Sequence, residues 1–397
     1  MEKIKAVWLC HMANDALNRY FDVNLNTCAY WMTQFIDLMK DNLEIHVVAP
    51  NYYNNKDLCF EINGVNYHLF KYYSGIGSTR IAYCEIALRQ ELNIQRKVKE
   101  IVRDVNPDIV HLFGAENITY SSGILPFIGK LPTFVSFQGY IQLAEKKGNF
   151  LRKLVINKRV KTEDSILRKC PNISFGTFET SSEKYYKEKY GEGKIYPINF
   201  PFKFPNVDAT TVEKEYDIVF WGRVTYEKGV EDLIQAVSIL KKELPHVRCL
   251  ILGGGSEEYM LRLQELVEKN TLSNNIIFGG FQKTDDQLFQ NASKAKLYAL
   301  PTHFDALPGS IRESMALRLP VVAYAVGDIP SLNKDKECIA LVKPLDVQEL
   351  AKTIYNLLTK DERREMYIKN SQEAITLASS DESVKNQILS CYKSILS

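Results

Sequence analysis

The 397-residue sequence contains no D-x-D triplet, no C-x-x-C pair and no run approaching the roughly 20 apolar residues that cross a bilayer. The first absence removes the paired carboxylates that commonly hold Mg²⁺ or Mn²⁺ through hard oxygen ligands, and no metal or other cofactor is expected. The second, with no cysteine near a histidine at zinc spacing, removes a zinc site. The third removes a membrane-spanning helix. Charge of one sign is also scarce. The formal net charge is +2, so no overall field favours nucleic acid, and none is expected as a partner. Eight cysteines are present, Cys10, Cys28, Cys59, Cys84, Cys170, Cys249, Cys338 and Cys391. They read as small core hydrophobes in a reducing compartment. The apolar run Ala6-Val7-Trp8-Leu9-Cys10 is too brief for a signal sequence and is followed by no cleavage site. The expectation is a cytoplasmic protein.

What is present is the composition of a soluble globular chain, 45% hydrophobic and 25% charged. At about 150 residues per domain, the length implies two or three domains. Short apolar runs alternate with longer amphipathic stretches. In the first half, strands are predicted over 4–10, 45–49, 109–113 and 133–137, and a hairpin over FEINGVNYHLF, where Asn63-Gly64 suits a tight primed turn. Helices are predicted over 27–39 and 81–105, the second ending at Asn106-Pro107. NFPFKFPNVD, 199–208, has neither period and reads as a linker.

A second series follows, with strands at 216–221, 249–253, 276–278, 297–300 and 321–324. Helical patterns lie between them, Thr284 and Gln287 forming a capping box; two more close the chain, with another box at Ser379 and Glu382. Alternation of this kind implies parallel βαβ units. The expected fold is α/β, two Rossmann-like domains facing across a cleft. Residues 1–200 form the first, 210–378 the second, and 379–397 a helix that packs back toward the first.

Open α/β sheets bind ligands beyond the carboxyl ends of their strands, so chemistry belongs in the loops there. Two segments satisfy this. In WGRVTYEKG, Gly222 permits a turn, and Arg223 and Lys228 project from one loop. A forked guanidinium and a point-charge ammonium five residues apart suit a diphosphate. The plainer reading is a loop with solvated basic residues. In LPTHFDALPGSIRESMALRLP, a strand end leads through Pro308 into a short helix. The amides of Gly309, Ser310 and Ile311 there would form an anion site. Asp305 and Glu313 lie eight residues apart across that turn. Singly they read as a turn residue and a helix-dipole partner; Glu313 also suits ribose hydroxyls.

These residues resemble the retaining glycosyltransferases of family 4, which have the GT-B fold. GRVTYEKG is similar to that family's donor-diphosphate loop. Asp305 to Glu313 resembles its paired acids separated by seven residues, and MALRLPVVAYAVGDIP its helix–Pro–strand–glycine continuation. The resemblance is specific from about 216 to 358 and loose before that. It implies a hexosyl- or N-acetylhexosaminyl-transferase moving a sugar from a nucleotide-sugar donor to a glycan or lipid-linked acceptor, with retention and without metal. It implies that Arg223 and Lys228 neutralise the leaving diphosphate, with Asp305 the third catalytic residue, approaching the donor sugar. Donor-binding roles would fall to Gly222, Phe281 at the nucleotide base, Leu307, Pro308, Gly309, Ser310, Ile311 and Glu313. Departures are Asp305 where the family usually has Glu, Gly327-Asp328 in place of paired glycines, and Gln138-Gly139 in place of a histidine-glycine pair. The family's glycine-rich loop after the first strand is also absent. Gln138 remains a candidate hydrogen-bond donor to a sugar hydroxyl.

Other features stay open. Gly253-Gly254-Gly255 lacks the spacing of a dinucleotide fingerprint. His111 ends a strand and reads either as an acceptor or sugar contact or as a satisfied structural histidine. Segment 146–161, with seven basic residues among apolar ones, reads either as a solvated helix face or as a peripheral contact with the inner face of a membrane. Bacterial surface polysaccharide assembly is the setting the family resemblance suggests. Two rival functions are a non-catalytic nucleotide-sugar or glycan-binding partner of another transferase, and a GT-B sugar-nucleotide epimerase.

Overall fold

The computed structural model describes residues 3–11, 15–23, 30–72, 91–137, 140–141, 150–175, 181–199, 201, 204–305, 308–378 and 381–397. Its contacts divide the chain into two compact units, Met1–Pro201 with Ser379–Ser397, and Phe202–Ala378.

The first unit is built on an eight-stranded sheet. Its strands are β1 (Ile4–Leu9), β2 (Leu43–Pro50), β3 (Leu58–Ile62), β4 (Val65–Phe70), β5 (Ile109–Phe113), β6 (Thr133–Ser136), β7 (Asn172–Ser174) and β8 (Lys194–Ile195), in the order β3-β4-β2-β1-β5-β6-β7-β8. Central strands such as β5 are buried on both faces, which parallel pairing between helical layers demands. Among the described residues only β3 and β4 pair antiparallel. Their turn has Asn63 at φ 52° and Gly64 at φ 78°, the two left-handed residues of a tight hairpin. β3 alternates in burial and leaves Cys59 exposed, which corrects the expectation that this thiol is a core residue.

The helix Glu91–Val105 buries Ile94, Val98, Val102 and Val105 at helical spacing. It ends at Asn106, left-handed at φ 49°, because the following Pro107 disfavours a further helical residue. The last helix, Asp381–Leu396, belongs to this unit and buries Val384, Ile388, Cys391 and Tyr392. The Trp8 indole N–H donates to the Tyr392 hydroxyl at 2.9 Å in the core.

The second unit carries six parallel strands, β9 (Tyr216–Trp221), β10 (Cys249–Leu252), β11 (Ile276–Gly280), β12 (Ala295–Leu300), β13 (Val321–Tyr324) and β14 (Ala340–Val342). Their order is β11-β10-β9-β12-β13-β14. The chain moves outward from β9 to β11, then restarts at β12 on the other side of β9. The gap between the ends of β9 and β12 is thus the point where strand order reverses, the usual ligand position in such sheets. Helices between the strands are capped locally. Thr284 Oγ1 accepts from the Gln287 amide at 3.2 Å, and Asp346 from the Glu349 amide at 3.0 Å. Ser379 lies outside the described residues. Among the described residues no helix is long and apolar enough to cross a membrane.

Candidate functional site

Parallel strands place every loop that follows them on one edge of the sheet, so the two segments singled out in the sequence are neighbours. After β9 the chain passes Gly222 and the exposed Arg223, makes the 3₁₀ turn Tyr226–Lys228, and enters the helix Val230–Leu240 through Gly229. Gly229 is left-handed at φ 69°, and a Cβ there would stand 1.7 Å from the Pro301 carbonyl oxygen. Only glycine lets the two loops approach this closely. The glycines after β10 serve the same loop. A Cβ on Gly253 would lie 1.9 Å from the Gly222 carbonyl, and the Val224 amide donates to Gly254 at 2.9 Å. The Gly253-Gly254-Gly255 run therefore supports the Arg223 loop from beneath.

Lys228 forms an ion pair with Asp305, on the loop after β12. Both side chains are mostly enclosed, 17% and 18% exposed, so this is no solvated surface pair. Arg223 points to solvent. Its charge helps hold the Glu227 carboxyl below its ordinary range, after hydrogen bonds from that residue's own amide and the Thr225 hydroxyl.

The helix Gly309–Ala316 starts after Pro308. Ser310 is tied to the sheet, because the Tyr298 hydroxyl donates to its Oγ at 2.8 Å. The Ile311 amide donates back to the Pro308 carbonyl at 3.2 Å and its side chain is fully buried. That corrects the expectation that the Ile311 amide points outward; the first turn consumes it. Glu313 faces the end of β9, where the Trp221 indole N–H donates to its Oε2 at 3.0 Å. Burial raises the Glu313 carboxyl above its ordinary range, and the Trp221 hydrogen bond opposes this. Phe281, one residue past β11, is 70% exposed on the same edge.

The fold thus brings Gly222, Arg223, Lys228, Asp305, Pro308, Gly309, Ser310 and Glu313 to one sheet edge, with Phe281 farther along it. Leu307 and Gln138 lie outside the described residues. His111 is elsewhere and is corrected. It is 1% exposed in the first unit, with Nδ1 2.7 Å from the Tyr392 hydroxyl and Nε2 2.8 Å from Ser136 Oγ. Burial pushes its pKa well down. It is a neutral, satisfied core histidine, not a substrate contact.

Sequence reasoning missed Trp221, Tyr298, Asp232 and His303. Trp221 closes β9 immediately before Gly222, and an indole N–H at that site needed a partner; Glu313 supplies it from 92 residues away. His303 Nε2 lies 3.1 Å from Asp232 Oδ2, which also accepts the Tyr324 hydroxyl at 2.9 Å. Among the described residues, no group of three or more His, Cys, Asp or Glu is placed to hold a metal ion.

Comparison with known proteins adds to this geometry. Residues 206–374 match the family Glycosyl transferases group 1. The chain is 26% identical over 178 residues to an alpha-D-kanosaminyltransferase of Streptomyces kanamyceticus, covering 45% of each. It is 31% identical over 150 residues to a D-inositol 3-phosphate glycosyltransferase of Mycobacterium sp. strain KMS, covering 37% of this chain and 33% of that one. The chain spans about a third to two thirds of the length of the curated relatives it matches. Among solved structures it resembles the sucrose-phosphate synthase of Thermosynechococcus elongatus, with a TM-score of 0.75, 17% identity and 99% of both chains covered. It also resembles Anabaena HepE in complex with UDP, with a TM-score of 0.72, 16% identity, and 99% and 100% covered. At such identities the likeness establishes the GT-B fold.

Proposed function

We propose, from the match of residues 206–374 to Glycosyl transferases group 1, that the chain transfers a hexosyl or N-acetylhexosaminyl group from a nucleoside-diphosphate sugar to a glycan or lipid-linked acceptor. In this reading, retention of configuration and independence of metal accompany the transfer. One observation carries it. Lys228, Asp305 and Glu313 stand with Arg223 at the reversal point of the second sheet, where a nucleotide is expected. Glu313 accepts ribose hydroxyls with its carboxylate, already oriented by Trp221. Phe281 offers an exposed ring to the base. UDP is the first nucleotide to try, because HepE is described in complex with UDP and with UDP-glucose.

The chemical demand is charge. As the glycosidic bond to the β-phosphate breaks, negative charge grows on the departing diphosphate. Arg223, Lys228 and the start of the helix Gly309–Ala316 are fixed cations and dipoles placed before that charge develops. The acceptor hydroxyl attacks the face from which the diphosphate leaves, and the proton passes to the leaving phosphate oxygen, so no protein base is required. Asp305 faces the donor sugar hydroxyls. The acceptor belongs to bacterial surface polysaccharide assembly, and peripheral membrane contact falls to 146–161.

The test is a thermal-shift screen against UDP-, GDP-, dTDP-, ADP- and CMP-sugars, with and without EDTA. A ligand at about 100 times its dissociation constant stabilises by roughly 2.7 kcal/mol. A shift with one base, unchanged by EDTA, is expected. A shift abolished by EDTA removes metal independence, and no shift with any sugar nucleotide removes the donor site. Binding without turnover on a verified acceptor would instead favour a non-catalytic binding partner.

A further inference from the structure

Two segments meet at this edge through more than one link. The first comprises the turn Tyr226–Lys228, Gly229 and the start of the helix Val230–Leu240; the second runs from Pro301 to Asp305. Lys228 and Asp305 make the ion pair already described. Beside it stands a separate link, His303 Nε2 to Asp232 Oδ2 at 3.1 Å. The main chain joins in, because the His303 amide and the Thr302 hydroxyl both donate to the Glu227 carbonyl, at 2.8 and 2.9 Å. The His303 ring stands edge-on to Tyr226, with centroids 4.9 Å apart. The His303 and Asp232 side chains are each only 14% exposed, and Tyr324 holds the same carboxylate oxygen at 2.9 Å. This is a part-buried, cross-braced contact between the loop that carries Asp305 and the segment that carries Lys228.

The donor-site reading makes conflicting demands on Lys228. In the free protein its ammonium is paired with Asp305; in the complex it must serve a diphosphate. A dianionic or trianionic phosphate outcompetes one carboxylate for a single ammonium, so donor binding weakens or opens the ion pair. The loop carrying Asp305 would then lose a fastening at the moment its carboxylate must be aimed at the sugar. The His303–Asp232 link uses none of the groups the donor engages, so it persists through this exchange.

We propose that His303 is a positioning residue: paired with Asp232, it holds the Asp305 loop in place while the donor diphosphate takes Lys228. The proposal rests on the donor-site reading above. It assigns His303 an effect on turnover rather than on nucleotide affinity, since Arg223, Lys228 and Glu313 keep their own supports.

The test compares His303→Ala, His303→Gln and Asp232→Asn with the wild type, using UDP titration, steady-state kinetics with the sugar nucleotide found in the screen, and hydrogen exchange of the 302–305 amides without ligand. His303→Ala should lower kcat by about tenfold or more, since small misplacements of a positioned group are costly. Its UDP dissociation constant should change by less than about threefold, separating positioning from binding. The glutamine amide N–H still reaches Asp232, so His303→Gln should recover most of the lost kcat, and exchange in the loop should rise in the alanine variant and not in the glutamine one. An unchanged kcat in His303→Ala, a glutamine variant no better than alanine, or a loss of UDP affinity as large as the loss of kcat/KM overturns the proposal. If His303→Ala does not fold, Asp232→Asn, which keeps the side chain's shape, is read in its place against His303→Gln. A wild type that binds no nucleotide and turns over no donor overturns the reading beneath, and that outcome is seen before any variant is made.

Discussion

Lys228 and Glu313 are the side chains whose surroundings say most about the chemistry. Lys228 has an anionic partner within the protein, the Asp305 carboxylate on the loop after β12. Lys228→Ala should lower turnover about 100- to 1,000-fold, the usual cost of losing one fixed donor to a developing anion. The unfolding midpoint should fall as well, because Asp305 is left mostly enclosed without its partner, so turnover is compared at a temperature where both proteins are folded; near-normal turnover would exclude Lys228 from the diphosphate site. Glu313 has its carboxyl raised by burial. Its folded pKa lies above the unfolded one, so its contribution to stability is complete at low pH and lost as pH rises through the folded value. Ribose binding has the opposite demand, because the acceptor is the ionised form. UDP affinity should therefore fall on acidification at a higher pH than an ordinary glutamate would impose, and Glu313→Gln should flatten that profile. Calorimetric titration between pH 5 and 8 decides it; a wild-type profile as flat as the variant's counts against Glu313 as the ribose acid.

Elements contribute through their ends and edges. The helix Val347–Thr359 buries Leu350, Ala351, Ile354 and Leu357, and Asp346 caps it at 3.0 Å. Asp346→Ala should cost about 1 kcal/mol in urea unfolding, and Asp346→Asn little, because asparagine caps equally well. In the sheet of the first unit, a chain of contacts crosses β2, β4 and β3. Glu44 meets His46 at 3.0 Å, His46 meets His68 at 3.0 Å, and Cys59 Sγ lies 3.4 Å from His68 Nδ1. Register accounts for it, since His68 sits directly opposite Cys59 and diagonally from His46. Burial, then the neighbouring His46, lowers His68 from 6.5 to about 4. Its folded pKa is depressed, so the stability it contributes is present above about pH 6.5 and lost as pH falls toward 4. His68→Gln should lose less melting temperature than the wild type between pH 7 and 5; an equal loss would place the acid sensitivity elsewhere.

Across the whole molecule, the last helix returns to the first unit and inserts Tyr392 beneath β1 and β5. Its hydroxyl accepts from Trp8 and meets Nδ1 of His111, whose Nε2 meets Ser136. Tyr392→Phe would strand a buried donor on Trp8 and a buried acceptor on His111, each costing about 1–3 kcal/mol. Chemical denaturation should show that loss; a neutral substitution would mean that water fills the gap.

The class of fold was legible because it depends on local periodicity. Apolar runs bounded by turn residues become strands buried on both faces, Asn63-Gly64 turns a hairpin, and Asn106-Pro107 stops a helix, all within a few residues of chain. The resemblance carried by GRVTYEKG and by Asp305 to Glu313 was legible for the same reason, since each motif is contiguous. The sequence by itself therefore determined the α/β alternation and carried the family resemblance of the second unit in two contiguous loops. Tertiary structure alone decided which side chains pair across those loops. Trp221 finds Glu313 over 92 positions and His303 finds Asp232 over 71. It also decided that His111, read from the sequence as ending a strand, sits in the middle of β5 and is closed into a core by a helix 281 residues away. A strand residue looks the same in sequence whether its neighbour is solvent or another helix, and only long-range packing determines which one covers it.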